Sequence, residues 1–474
     1  MSFAKVAGQR APDGAFIIGD DGRDFSFGAF WQLAGRLAAA LLATGAKPGD
    51  RVAVQVDKSV EAVALFYACV RAGLIFLPLN TAYTPSEISY FLGDAEPALF
   101  ITNRLAPDGI KSLTLDDKGG GTLMQLAAMQ GAHFVDATAS AETLCAILYT
   151  SGTTGKSKGA MLSQGNLFSN AEALVKEWRF TPQDVLIHAL PVYHTHGLFV
   201  AMNTMFVSGG RMLYRRKFDA GDVVSLIPKA TSLMGVPTFY TRLLQRPELT
   251  PDLCRNMRLF ISGSAPLLAD THRAFEERSG HAILERYGMT ETNMNTSNPY
   301  IGQRKPGTVG KPLPGIEVRL RDGMIEVKGP NVSRGYWRNE EKTKASFTQD
   351  GWFITGDLGS IDEDGYFVIS GRGSDLIITG GFNVYPKEIE EKIDAMPGVV
   401  ECAVIGLPHP DFGEAVTAVV AVEKGAKLDA AAMTATLRET LAAFKVPKNI
   451  HFVDELPRNT MGKVQKKVLR ETYV

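Results

Sequence analysis

The sequence predicts an α/β protein in two parts. A large N-terminal domain of mixed and parallel sheets flanked by helices carries a β-rich subdomain, and a small α+β C-terminal domain follows. Three observations predict this. From Asp50 onward short apolar runs alternate with amphipathic helical runs; after about Gly302 the texture changes to short alternating strands and Gly/Pro turns; and after Arg372 it changes again. The domain cut is placed between an N-terminal part, residues 1–372, and a C-terminal part, residues 375–474.

In chain order, RVAVQV at 51 is a strand, SVEAVALFYACVRAG a helix, LIFLPL a strand, PSEISYFLGDA a helix and PALFIT a strand. The alternation resumes with CAILYT at 145, DVLIHAL at 184, TSLMGV at 231, RLFISG at 258 and AILERYG at 282. Ligands of such folds sit beyond the carboxyl ends of the strands. GIEVRLRDGMIEVKGP and DEDGYFVISGRG make the β-rich part. Beyond residue 375 come a helix in PKEIEEKIDAM, strands in ECAVIGL and AVTAVVAVE, a helix around AAAMTATLRETLAAF and a basic tail.

Composition bounds the function. The 474 residues carry 50 Lys+Arg against 51 Asp+Glu, a net charge of −1, which gives no bulk attraction for nucleic acid. At 45% hydrophobic and 21% charged the chain is ordinary globular material, long enough for roughly two to three domains. Cys69, Cys145, Cys254 and Cys402 lie too far apart for a Cys-x-x-Cys metal or redox site and read as buried thiols in a reducing compartment. The head, MSFAKVAGQRAPDG, lacks a signal-peptide core, and later apolar stretches are interrupted by residues such as Arg71. A soluble, cytoplasmic protein without membrane partners is expected.

The strand CAILYT runs into Ser151-Gly152-Thr153-Thr154-Gly155-Lys156-Ser157-Lys158-Gly159. Hydroxyls, glycine amides and lysines in one short loop suit a polyphosphate, which wants donors, close backbone approach and positive charge. An ordinary P-loop is excluded, because its first glycine falls on Thr150.

The loop resembles the phosphate loop of the acyl-adenylate-forming superfamily, the family of acyl-CoA synthetases, with Ser157 in place of the usual proline. Further stretches follow in that family's order, so the resemblance covers essentially the whole chain. It implies ATP contacts at Thr150, Ser151, Gly152, Thr153, Thr154, Gly155 and Lys156. Ser262-Gly263-Ser264-Ala265-Pro266 resembles the adenine-contacting turn, with Ser262 also bordering the acyl site. In Glu285-Arg286-Tyr287-Gly288-Met289-Thr290-Glu291, Tyr287 and Gly288 border the adenine, Thr290 bonds a phosphate, and Glu291 holds Mg²⁺, a cation suited to carboxylate and phosphate oxygens. Read alone, Glu291 is more often a helix N-terminal carboxylate stabilising the dipole than a metal ligand.

The resemblance further implies that Asp357 accepts both ribose hydroxyls and that Arg372 reaches ribose or phosphate beside it. Lys463, in Leu456-Pro457-Arg458-Asn459-Thr460-Met461-Gly462-Lys463, resembles the catalytic lysine, whose charge offsets the negative charge gathering on the phosphoryl group. The small domain is then mobile, rotating about a hinge at Ser374, where the family usually has Asp or Lys. In the other pose Gly380, Gly381 and Phe382 shape the path of the CoA thiol.

Relatives often carry a small or neutral residue where this chain has Arg286. An arginine among hydrocarbon is costly unless paired, and the obvious partner is a second carboxylate on the substrate. His194, in Tyr193-His194-Thr195-His196-Gly197, resembles the gate residue beside the acyl group, and Met289 borders the same pocket. With ERYGMTE and YHTHG together, the chain most resembles the malonyl-CoA synthetases, which implies malonate, ATP and CoA as substrates and a monomer or homodimer. Arg286 facing solvent, or pairing with Glu285 or Glu291, stays open. So does a synthetase for another short or medium-chain or aryl acid, or a stand-alone adenylation domain, although the aspartate that amino-acid-activating domains usually present near His194 is absent.

Overall fold

The computed structural model describes residues 2–131, 133–150, 157–379, 382–459 and 462–474, without the side chain of Asn383. Among them the strands form sheets of nine, six, five and four members. The predicted α/β class holds, and the alternation from Asp50 is realised element by element: Arg51–Gln55, the helix Val60–Ala72, Ile75–Pro78, the helix Pro85–Ala95 and Leu99–Thr102.

By packing, the chain divides into two units, one of residues 1–318 and 327–353, the other of 319–326 and 354–474. The strands around the 372–375 cut therefore group with the second unit, together with the turn of the hairpin Glu317–Arg321/Met324–Lys328.

In the first unit the six-stranded sheet pairs Arg51–Gln55 in parallel with Ile75–Pro78 and Leu99–Thr102. The helix Val60–Ala72 is buried along its whole length, which explains why its apolar residues run on without a polar face. It opens on a Ser59 cap and closes on Gly73 in the left-handed region. Phe3, Phe66, Tyr67 and Phe206 interlock at ring distances of 4.7–6.3 Å. In the nine-stranded sheet, Val185–His188, Ser232–Gly235, Leu259–Ser262 and Leu284–Met289 lie side by side and parallel. Their carboxyl ends therefore finish along one edge.

The second unit contains the antiparallel ribbon Val399–His409/Gly413–Val422, backed by the helices Pro386–Asp394 and Ala430–Thr440. The tail read only as basic is a helix, Lys466–Tyr473, with Leu469 buried. Two of its basic residues pair with acids far back in the chain, Lys466 with Glu390 at 2.6 Å and Arg470 with Asp375 at 2.9 Å. The four cysteines are buried free thiols. No helix of the described residues is long and apolar enough to cross a membrane.

Candidate active site

The strand ends of the nine-stranded sheet collect the predicted acyl-site residues. Leu259–Ser262 finishes on Ser262, in register with Gly235 on one side and Glu285 on the other. The chain then turns through Gly263 and Ser264, whose φ of +72° places a non-glycine residue in the left-handed region. That turn brings Ser264 Oγ to 3.2 Å from His196 Nδ1.

Arg286 comes from the neighbouring strand and is 3% exposed. Its guanidinium lies against the bare face of Gly263: a Cβ built there would stand 2.4 Å from Arg286 Cζ. Among the described residues no protein group hydrogen-bonds Nε or Nη2. Burial draws its pKa down to about 10, while Tyr240 and Glu285 pull the other way, so the side chain remains a cation at neutral pH. Of the readings left open, solvent exposure fails on burial, while Glu285 attracts the charge of Arg286. A buried cation with unused donors costs free energy that an anionic group against it would offset.

Other buried polar atoms along these strand ends share that condition. Ser262 Oγ, Thr195 Oγ1 and His196 Nε2 have no protein partner among the described residues, where native interiors leave few such atoms. His196, the second histidine of the pair and read from sequence as a core or gate residue, is buried. Burial first, then Arg286, hold its imidazole well below the ordinary range and therefore neutral. His194 lies one step earlier, its Nδ1 accepting the His196 backbone N–H at 3.3 Å. Two histidines at i and i+2 carry no signature of this arrangement. The signal lies in contacts with Ser264 and Arg286 far along the chain.

At the other end of the ERYGMTE segment, Glu291 is 5% exposed and sits in the turn from Leu284–Met289 to Asn293–Ser297, not at a helix N-terminus. Its Oε1 accepts from Tyr336 Oη at 2.9 Å and from Thr150 Oγ1 at 3.3 Å, and its backbone carbonyl accepts from Ser333 at 2.7 Å. Thr150 pairs with Lys158 across the antiparallel strands Leu144–Thr150 and Lys158–Ser163, and the Thr150 end of that pair meets Glu291. Ser151, Gly152, Thr153, Thr154, Gly155 and Lys156 lie outside the described residues. Burial and Lys342 lower the Lys158 pKa while Glu291 raises it, which places an ammonium near the carboxylate. Tyr287, Gly288 and Met289 complete the strand, and Thr290 begins the turn.

Among the described residues no cluster of three or more metal-ligating side chains exists. The fit to Mg²⁺ is that of one buried carboxylate, with phosphate and water supplying the remaining oxygens, a donor set Mg²⁺ commonly takes.

In the second unit Asp357 and Arg372 face each other across Phe353–Ile361 and Phe367–Arg372, with Nε 2.6 Å from Oδ1. Ser374 lies in the single turn Gly373–Asp375 that follows. Phe382 is half exposed and stacks on Phe444 at 4.5 Å, while Gly380 and Gly381 lie outside the described residues. On either side of Lys463, Arg458 pairs with Val464 in an antiparallel bridge. Lys463 N donates to Asn459 Oδ1 at 3.0 Å, Asn459 N donates to Lys463 O at 2.9 Å, and Arg458 bonds both the Gly462 carbonyl and Glu401.

The chain as a whole is similar to known proteins. The sequence matches the family described as AMP-binding enzyme over residues 3–337 and the AMP-binding enzyme C-terminal domain over residues 388–463. The crystal structure of ATP-bound MatB from Rhodopseudomonas palustris superposes with a TM-score of 0.96 at 56% identity, covering 100% of this chain and 99% of that one. The malonate–CoA ligase of Arabidopsis thaliana is 34% identical over 520 residues, 95% of this chain and 85% of its own. The sulfoacetate–CoA ligase of Cupriavidus necator is 35% identical over 484 residues, covering 96% and 94% respectively.

Proposed function

Since this chain belongs to the AMP-binding enzyme family, we propose that it is an acid–thiol ligase joining malonate to coenzyme A through malonyl-AMP, with release of AMP and pyrophosphate. The observation that carries the choice of acid is Arg286, a buried cation with two donors that no protein group meets among the described residues, beside Ser262 Oγ and His196 Nε2 in the same condition. A monocarboxylate spends its one carboxylate on phosphorus and leaves those donors unmet. A short diacid reacts through one end and satisfies them with the other. The relatives named for malonate support the same reading.

In the first half-reaction a carboxylate oxygen attacks the α-phosphorus of ATP. The new O–P bond forms as the α–β bridging bond breaks, and pyrophosphate leaves with that electron pair. The hydroxyl- and glycine-rich loop at 151–156 cradles the phosphates, Tyr287 stacks on adenine, and Asp357 takes the ribose hydroxyls. Glu291 would hold Mg²⁺, which supplies charge neutralisation at the phosphates when bound. Lys463 offsets the charge gathering on the α-phosphate. In the second half the CoA sulfur attacks the acyl carbon and AMP leaves with the C–O electron pair.

Incubation with ATP, Mg²⁺, CoA and a panel of mono- and dicarboxylates, read by mass spectrometry, is expected to give malonyl-CoA and AMP, with acetate poorer by a few hundredfold or more. That factor follows from leaving a buried charge unpaired at about 3–5 kcal/mol. Sulfoacetate belongs in the panel because a sulfonate meets the same donors. ADP in place of AMP would refute the adenylate route; equal rates with acetate and malonate would refute the diacid reading.

Gly263→Ala tests the cradle. The added methyl cannot share space with the guanidinium, so Arg286 is displaced at a cost of about 1–3 kcal/mol. The malonate KM is expected to rise by roughly five- to a hundredfold, the ATP KM changing less. A larger change for ATP would assign Gly263 to the adenine instead.

A further inference from the structure

Behind the acyl site runs a buried polar chain that the mechanism above does not use. Lys58 is 8% exposed. Its Nζ lies 2.9 Å from His188 Nδ1, 2.9 Å from the His188 carbonyl and 4.3 Å above the Tyr214 ring. The other ring nitrogen, His188 Nε2, is 2.9 Å from the Gly197 carbonyl. That carbonyl only accepts, so the ring proton sits on Nε2; Nδ1 must then accept, and Lys58 is its donor. The chain of donors therefore runs one way, from Lys58 through His188 to Gly197.

Gly197 belongs to a π-helical turn, His196–Ala201. Its carbonyl accepts from Met202 N five residues on, the widened spacing that recurs at functional sites and is held only where the surroundings favour it. The backbone is also clamped from the other side: a Cβ at Gly197 would stand 2.0 Å from the Pro191 carbonyl oxygen. The first residue of this turn is His196, whose ring lies against Ser264 Oγ and feels the charge of Arg286.

We infer that Lys58 and His188 are positioning residues for the diacid: by holding the Gly197 carbonyl they fix the π-turn that sets His196 beside Arg286 for the distal carboxylate. Neither residue touches substrate. The inference rests on the diacid reading, and it extends that reading to residues lying 138 and 8 positions before His196 in the chain.

The test compares wild type, Lys58→Met, His188→Leu and His188→Gln, in the full-length enzyme with ATP, Mg²⁺ and CoA. Lys58→Met keeps length and apolar bulk but removes the donor. His188→Leu removes the link, while the glutamine amide of His188→Gln donates to Gly197 and accepts from Lys58. Lys58→Met and His188→Leu are expected to raise the malonate KM about tenfold and to narrow the malonate-over-acetate ratio by the same factor, with the ATP KM unchanged. His188→Gln is expected to stay within about threefold of wild type. Imidazole ¹⁵N spectra are expected to show His188 protonated on Nε2 in wild type and to lose that single tautomer in Lys58→Met.

A wild type that discriminates against acetate, with Lys58→Met discriminating equally well, overturns this inference alone; so does an Nδ1-protonated His188. Equal losses for malonate, acetate and ATP make the chain merely structural. A wild type indifferent to the second carboxylate overturns the diacid reading and this inference with it. If Lys58→Met does not fold, the His188 pair and the wild-type spectrum decide the matter.

Discussion

Replacing Arg286 with methionine is expected to lower kcat/KM for malonate by a few hundredfold to a few thousandfold while leaving the folded protein as stable as before, or more so. The two halves of that expectation have one cause. The guanidinium is buried with Nε and Nη2 unpartnered by protein groups among the described residues, and burial already disfavours its charged form. Exchange for an apolar side chain of similar length removes that penalty, and buried charges replaced in this way often give neutral or stabilised proteins. With the diacid bound, the same charge is neutralised by a carboxylate, and its loss strands that carboxylate at about 3–5 kcal/mol. Steady-state kinetics with malonate and acetate, together with urea unfolding of the free enzyme, check it. The malonate rate should collapse and the acetate rate hold or rise. A variant that loses stability and both activities together would make Arg286 a structural residue.

What was legible in the sequence follows from the range of the interactions involved. The strands and helices from Asp50 onward were readable because periodicity is local. The helix Phe27–Ala43 and the strands Ala15–Gly19 and Asp24–Ser26 precede that alternation and were not read. The basic tail concealed a helix because Lys466 and Arg470 find their acids at Glu390 and Asp375, 76 and 95 positions earlier.

The same limit divides the candidate site. Arg286 could be singled out by chemical type, but its burial, its seat on Gly263 and its unused donors are products of tertiary packing. His196 shows no more than a core or gate histidine in sequence because Ser264 and Arg286, which it meets, are 68 and 90 residues away. Tyr336, the donor to Glu291, stands 45 residues beyond it and belongs to no recognisable run. Gly263 was assigned to the adenine turn by resemblance; packing against Arg286 gives it a reason to be glycine that resemblance did not supply.

Lys463→Ala carries the second large effect, and its pattern matters more than its size. The segment around this lysine is built from backbone bonds and from neighbours: Asn459 bonds both Lys463 N and O, and Arg458 ties Gly462 to Glu401. Alanine keeps its own N–H and C=O, so the loop's frame survives the truncation. What is lost is an ammonium whose proposed task is to offset charge developing on the α-phosphate. Removing one donor of that kind costs about 10²–10³ in rate. Attack of the CoA sulfur on an acyl carbon builds no new charge on phosphorus until AMP departs, so the second half has less need of that cation. Pyrophosphate release in a single turnover without CoA is therefore expected to fall by about that factor, whereas thioester formation from supplied malonyl-AMP should change by less than about threefold. Equal losses in both assays would mean that Lys463 serves both steps and that the division of labour between the halves is wrong. An unchanged first half would instead remove Lys463 from the chemistry and send the search for the compensating cation to Lys158, which already lies near Glu291 in the first unit.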